Sequence, residues 1–292
     1  MTPKPTEPAF VLTYGPSGSG KTTDTGYSFP RALFIAVRGA LQSIRTVCGY
    51  EPTVEAATSI EDITKRIASL KPGQFDSVVV DDFSYIAEQT MAKLEKKHTG
   101  FKLWGALRDL TLDFRNTARN ANCHVILNAW EAGPKDKNGQ RVRGGPKLPA
   151  DMPEQMPAMT DLTLRCSIDQ MRKPWPGVYR CFLSSDYVMK DRFDVVPRID
   201  PAPMNLAEVL RTVGYTVARH PALEWQEEVV EQIAQQILAG SPSEMVKMAN
   251  DTYAALISGG ATTAAARWTL RDGVDRAVIR RALNTRNDAF FV

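Results

Sequence analysis

The residues best equipped for chemistry lie near the start of the chain: Gly15, Pro16, Ser17, Gly18, Ser19, Gly20, Lys21, Thr22 and Thr23. Their spacing completes the pattern G-x-x-x-x-G-K-[ST], with Gly15, Gly20, Lys21 and Thr22 at its fixed positions. A glycine-rich turn lets successive backbone N–H groups point inward at phosphate oxygens, and a helix starting directly behind it adds the positive end of its dipole. In such a loop the lysine ammonium reaches the β- and γ-phosphates, and the threonine hydroxyl holds Mg²⁺. The expected chemistry is therefore binding of ATP with Mg²⁺. The apolar run Ala9–Leu12 supplies the strand that must precede the loop.

A second group of candidates follows the run FDSVVV at 75–80, which ends in Asp81 and Asp82. A carboxylate at the carboxyl end of a buried parallel strand faces the crevice where ligands bind. Asp81 is expected to hold the Mg²⁺ water shell, and Asp82 to polarise an attacking water or bind the neighbouring loop. Which of the two faces the metal stays open at this level. Asn128, near the end of HVILNA at 124–129, either senses the γ-phosphate or caps the strand. Glu131 behind it is a weaker candidate. Asp82 is the local choice for positioning a water.

The elements that must carry these residues follow from periodicity. Phe10–Tyr14, Ala32–Val37, Phe75–Val80 and His124–Ala129 read as short buried strands. Between them, Thr22–Tyr27, Ile60–Leu70, Ile86–Lys97 and Phe101–Ala121 read as helices, with a helical turn at Ala40–Val47. In the longest, Leu103, Leu107, Leu110, Phe114 and Ala118 share one face, and Trp104 at its shoulder is expected to pack along the helix. This alternation predicts an α/β fold with a mostly parallel central sheet covered on both faces. Glycines, prolines and the cations Lys135, Lys137, Arg141, Arg143 and Lys147 then break the rhythm, so residues 133–158 are expected to be a mobile, structureless loop. Met159–Cys166 and Val178–Ser184 read as further strands, separated by a turn at Lys173–Gly177. Prolines 197, 201 and 203 mark a linker. The expected organisation is a flexible leader at 1–8, an ATPase core at 9–200, and a small C-terminal helical region at 205–292. That last region holds six arginines against three aspartates from residue 264 onward, read either as a solvated helix face or as a basic surface.

Composition sets the limits. With 43% hydrophobic and 24% charged residues among 292, the chain can bury a core, and global disorder is excluded. A net charge of +3 makes no case by itself for nucleic acid. The four cysteines are far apart and predict free thiols in a reducing, cytoplasmic compartment. The three histidines are scattered and predict no metal centre of their own. No apolar run reaches membrane-spanning length.

Taken together in order, GPSGSGKTT, ALFIAVRGAL, FDSVVVDDFSYI, LWGALRDLTLDF, HVILNAWE and VMKDRF resemble the bacteriophage RecA-core ATPases over roughly residues 9–196. These are short RecA-like single-strand-annealing or recombination proteins. The resemblance implies a RecA-like P-loop core in a homo-oligomer, filament or ring, with ATP between subunits. It implies single-stranded DNA as a partner, alongside a phage or host recombination protein. Lys190 and Arg192 then match fingers reaching into a neighbour's site, the other reading being a charged hairpin rim. The basic segment 133–148 matches a DNA-binding loop, or else an exposed loop with another purpose. One position departs from the family: Arg38 stands where a catalytic glutamate is expected, and an arginine cannot serve as a general base. The implied activity is a weak or DNA-stimulated ATPase. The alternatives are an ATP-gated assembly or partner-binding protein, and a helicase or loader-like motor.

Overall fold

Every residue of the first strand, β1 (Phe10–Gly15), is buried, and its alternate side chains enter two different cores. Phe10, Leu12 and Tyr14 join one cluster with Leu33, Val78, Val80, Val125 and Leu127. Val11 joins another with Phe34, Val79, Ile126 and Leu164. A period of two with both faces apolar is the signature of a strand sandwiched between two layers. The computed structural model describes residues 5, 7–37, 39–137, 140–168, 177–180, 186–193, 199–218, 227–240 and 242–290.

Along the chain, β1 leads through the glycine-rich loop into α1 (Lys21–Ser28), then β2 (Ala32–Ile35), a π-helical turn at Ile44–Cys48, and β3 (Thr53–Glu55). Next come α2 (Ile60–Ala68), β4 (Ser77–Val80), α3 (Phe83–Glu95), α4 (Phe101–Arg119) and β5 (His124–Ala132). A short hairpin of β6 (Lys135–Lys137) and β7 (Gln140–Val142) precedes β8 (Gly145–Pro146), α5 (Met152–Met159) and β9 (Leu162–Ile168). The rest is β10 (Gly177–Arg180), β11 (Lys190–Asp191), β12 (Ala202–Pro203), α6 (Leu206–Thr212), α7 (Glu227–Ala239), α8 (Pro242–Ser258) and α9 (Thr263–Phe290). The main sheet runs β12-β10-β9-β1-β5-β4-β2-β3, with β11 on β9 and β8 on β5. From β9 to β3 the pairing is parallel, and β10 and β12 extend it antiparallel. The fold is thus an α/β core with a largely parallel central sheet and a C-terminal helical region. Among the described residues, no helix is long and apolar enough to cross a membrane.

Several expectations need correcting. Residues 133–158 are not structureless: they hold the β6–β7 hairpin, β8 paired with Glu131–Ala132, and α5. Proline in the first turn of α5 favours a helix there because its missing N–H has no helical partner to lose. Met159 ends that helix rather than starting a strand, and the strand begins at Leu162. Trp104, at the shoulder of α4, is 49% exposed. The C-terminal region also shares its packing with the sheet: Leu206, Val209, Leu210, Trp268 and Ile279 lie in the same cluster as Val11 and Phe34. Arg38, Cys181, the turn at 173–176 and the later part of the Val178–Ser184 strand fall outside the described residues. Cys48, Cys123 and Cys166 are free and buried.

His124, at the start of β5, has a readable protonation state. Its Nδ1 accepts the Ala9 N–H at 2.9 Å, and its Nε2 lies 2.9 Å from the Thr216 carbonyl, so the proton sits on Nε2. Burial lowers its pKa below 6.5, against weaker support for the charged form from Thr216 and Asp76. As pH falls, the unfolded imidazole takes up its proton before the folded one does, so acid favours unfolding. The expected outcome is that the wild type loses stability relative to His124→Gln from pH 7 to pH 5 in urea titrations. A difference independent of pH would contradict this account.

Candidate nucleotide-binding site

The glycine-rich loop starts where β1 passes between β5 and β9. A Cβ on Gly15 would stand 2.4 Å from the Cys166 carbonyl oxygen, so close approach of β9 demands glycine there. Gly20, immediately before α1, has φ +93°, a left-handed turn that costs other residues strain. The loop ends at the α1 N-terminus with no side-chain cap, leaving its first N–H groups to point at the loop. Lys21 Nζ donates to the carbonyls of Gly15 (2.8 Å) and Pro16 (3.0 Å) and to Ser19 Oγ (3.3 Å). Its ammonium is thus held over the cradle, and burial lowers its pKa.

Asp81 follows β4 directly and faces Thr22. Thr22 Oγ1 donates to its two carboxylate oxygens at 3.0 and 3.1 Å. Asn128 Nδ2 donates to Asp81 Oδ1 at 2.8 Å and to Thr25 Oγ1 at 3.1 Å, while Asn128 Oδ1 accepts from Thr13 at 2.7 Å. Both amide protons of Asn128 are therefore committed, and the side chain acts as a brace on Asp81. Asp81 is only 2% exposed, and burial pushes its carboxyl up to about 6, with the neighbouring Asp82 adding to the rise. Hydrogen bonds from Asn128 and Thr22 and the Lys21 charge oppose it. A hydroxyl and a carboxylate converging beside a lysine are hard oxygen donors suited to Mg²⁺. The residues present fit that ion, with Thr22 and Asp81 as the groups to hold it.

Asp82 heads α3 with φ +58°, in the left-handed region that aspartate tolerates better than most residues. Trp130 Nε1 donates to its Oδ1 at 3.0 Å and fixes its direction. A cavity of about 290 Å³ collects Lys21, Thr22, Asp81, Asp82, Asn128 and Trp130, together with Ser17, Gly18, Gly20 and Thr23 of the loop. Thr13, Thr25 and Trp130 belong to this site and carry no motif of their own. Their parts depend on neighbouring strands and helices meeting in register.

The remaining candidates lie elsewhere. Lys190 pairs with Thr163 near the beginning of β9, at the amino-terminal end of the parallel strands and so opposite the loop, and its Nζ donates to the carbonyls of Ala158 and Thr160, both at 2.8 Å. Arg192 pairs with Asp161 at 2.9 Å. Neither is brought to the glycine-rich loop of its own chain. Glu131 is engaged by Arg165 at 2.7 Å, whose guanidinium lies 3.7 Å over the Tyr187 ring. Lys135 and Arg143 are exposed, and the side chains of Lys137 and Arg141 lie outside the described residues. Lys147 pairs with Glu88 at 3.1 Å and sits 5.0 Å over Trp130, so it adjoins the nucleotide cavity.

Asn128→Ala is expected to weaken Mg²⁺-dependent binding of ATP by about 1–3 kcal/mol, because it leaves a buried carboxylate without its principal donor. Lys21→Ala is expected to weaken binding with and without Mg²⁺. Calorimetric titration at both metal conditions separates the two, and an unchanged Mg²⁺ dependence in Asn128→Ala would remove the brace from the account.

No curated protein matches the chain. The family model described as AAA domain matches residues 7–193, well over half of the chain and including the loop, Asp81 and Asn128. The chain carries an AAA-type P-loop NTPase domain and belongs to that AAA domain family.

Proposed function

We propose that this chain is an ATP-dependent single-stranded-DNA-binding protein with a RecA-like core, acting in phage recombination or strand annealing. On this reading Mg²⁺–ATP lies between neighbouring subunits of a homo-oligomer in the host cytoplasm, with a phage or host recombination protein as a further partner. Residues 9–200 are the ATPase core, and 205–292 assist assembly. The observation that carries the reading is continuity along β5. Asn128 on that strand holds Asp81, Glu131–Ala132 pair with β8, and the cationic β6–β7 hairpin rises between. A change at Asp81 therefore has a short route, one hydrogen bond to Asn128 and then along β5, to Lys135, Lys137, Arg141 and Arg143.

Bound Mg²⁺ would neutralise charge on the β- and γ-phosphate oxygens. Lys21 supplies a second cation, and Asp82, oriented by Trp130, is the carboxylate placed to hold a water. Lys190 and Arg192 serve a neighbour's site. The turn between α3 and α4 adds what the hairpin lacks, aromatic surface. Phe101 is 96% exposed and Trp104 half exposed, beside exposed Lys93, Lys96, Lys97 and Lys102. Cations neutralise phosphates, and exposed rings stack on bases of any sequence. The second reading, an ATP-gated partner-binding protein, draws on the net charge of only +3.

The test is fluorescence anisotropy of a labelled single strand with ATP, with a non-hydrolysable analogue and with no nucleotide, at two salt concentrations. Tight, salt-sensitive binding that requires nucleotide is expected, and Phe101→Ala/Trp104→Ala should weaken it by about 1–3 kcal/mol per lost stack. Absence of binding under every condition would favour the partner-binding reading. In the same series, Arg192→Ala is expected to leave nucleotide affinity intact and lower DNA-stimulated hydrolysis.

A further inference from the structure

Helix α1 carries Lys21 and Thr22 at its first turn, and its buried face is covered by residues far along the chain. Asp24 is fully enclosed. It accepts from Arg271 at 3.3 Å, from the Leu206 N–H at 3.2 Å, and from the Tyr179 hydroxyl. One turn on, the Tyr27 ring stacks on Trp268 with centroids 4.0 Å apart and planes 22° apart. Arg271 lies 5.1 Å from the Tyr27 centroid and 5.3 Å from that of Trp268. At the end of the helix, Ser28 Oγ accepts the Ala207 N–H at 3.1 Å. The Met204 sulfur lies 3.6 Å from where a Cβ on Gly20 would stand. Asp24 and Tyr27 on α1 thus meet Arg271 and Trp268 on α9, each pair three residues apart and so on one helix face.

All these α9 and α6 contacts come from beyond residue 193, where the family match ends. Arg271 also donates to the Met204 carbonyl and pairs with Asp275 at 3.4 Å, so one guanidinium ties α1, the segment before α6, and α9 together. Buried charge pairs have discrete geometry: they are either made or broken, and breaking one is costly. An element joined this way to the first turn of α1 responds to whatever fixes that turn.

We propose that α9 is the read-out element of the nucleotide site, with Arg271 as a positioning residue that links triphosphate binding at Lys21 and Thr22 to the seating of α9. The inference rests on nucleotide binding at that loop. By reciprocity, ATP tightens α9 on α1, and loosening α9 weakens ATP by the same factor. Arg280 is the internal control: it pairs with Glu231 on α7 at 2.6 Å, two turns further along α9, and its contacts stay within the helical region.

The experiment measures backbone amide exchange across 263–284 with and without Mg²⁺–ATP, alongside calorimetric ATP affinity, in the full chain. The wild type, Arg271→Ala, Arg271→Lys and Arg280→Ala are compared. The expected result is ATP-dependent protection around Trp268–Arg271 in the wild type. Arg271→Ala should lose that protection and bind ATP about tenfold more weakly, within the usual range of site-to-site coupling. Arg271→Lys keeps the charge without the fork and should lie between, giving a readout even where the alanine variant does not fold. Arg280→Ala should keep both protection and affinity. Wild-type ATP binding that leaves α9 exchange unchanged overturns the proposal, as does an Arg280→Ala variant that behaves like Arg271→Ala. A wild type that binds no ATP overturns the nucleotide-site reading itself.

Discussion

A carboxylate buried at the end of a strand constrains the rest of this molecule. Asp81 is enclosed and needs donors, since an ionised group in a protein interior is stable only when paired and hydrogen-bonded. Its donors are Thr22 on α1 and Asn128 on β5, and Thr13 on β1 fixes Asn128 by donating to its Oδ1. Thr13 stands beside Asn128 in the β1–β5 register, and Val80 beside Leu127 in the next pair. A slip of one residue in either pairing would turn Asn128 to the other face and strand the carboxylate. The apolar sides of the same strands impose the same register through two cores, so packing and polar satisfaction demand one arrangement.

Local signals made much of this legible from sequence. The loop pattern, the apolar runs before it and before Asp81, and the spacing of Leu103, Leu107 and Phe114 each lie within a few residues, and each corresponds to an element in the fold. Other features are set by partners far away in sequence. Arg271 meets Asp24 across 247 positions and Arg165 meets Glu131 across 34, and no periodicity joins them. The segment 133–158 misleads because its glycines and prolines read as breakers, whereas Pro153 and Pro157 lie within α5 and Gly145 and Pro146 form β8. Trp104 stands at the shoulder of α4, half exposed beside the buried Leu103, because successive helical residues point in different directions.

Charge is distributed less evenly than the net value suggests. The arginines of α9 look like a basic surface in sequence, but Arg276 reaches Glu208, Glu227 and Glu231, and Arg280 reaches Glu231. These two arginines hold α6, α7 and α9 together. The lysines around the α3–α4 turn are different, being exposed beside exposed rings. Position in the fold, more than count, decides which cations are available. The buried Arg276–Glu208 pair is also screened by salt far less than the exposed lysines.

The route by which α1 is finished also bears on how the protein is made. Residues that cover Asp24 and Tyr27 leave the ribosome long after the glycine-rich loop, so the helix behind that loop spends much of synthesis with an uncovered carboxylate and an unstacked tyrosine. A chain ending near residue 200 would hold the whole family-matched segment and still lack the α6 and α9 residues that cover Asp24 and Tyr27. A fragment cut at the end of the family match would leave the Asp24 carboxylate without Arg271 and the Leu206 N–H, and the Tyr27 ring without Trp268.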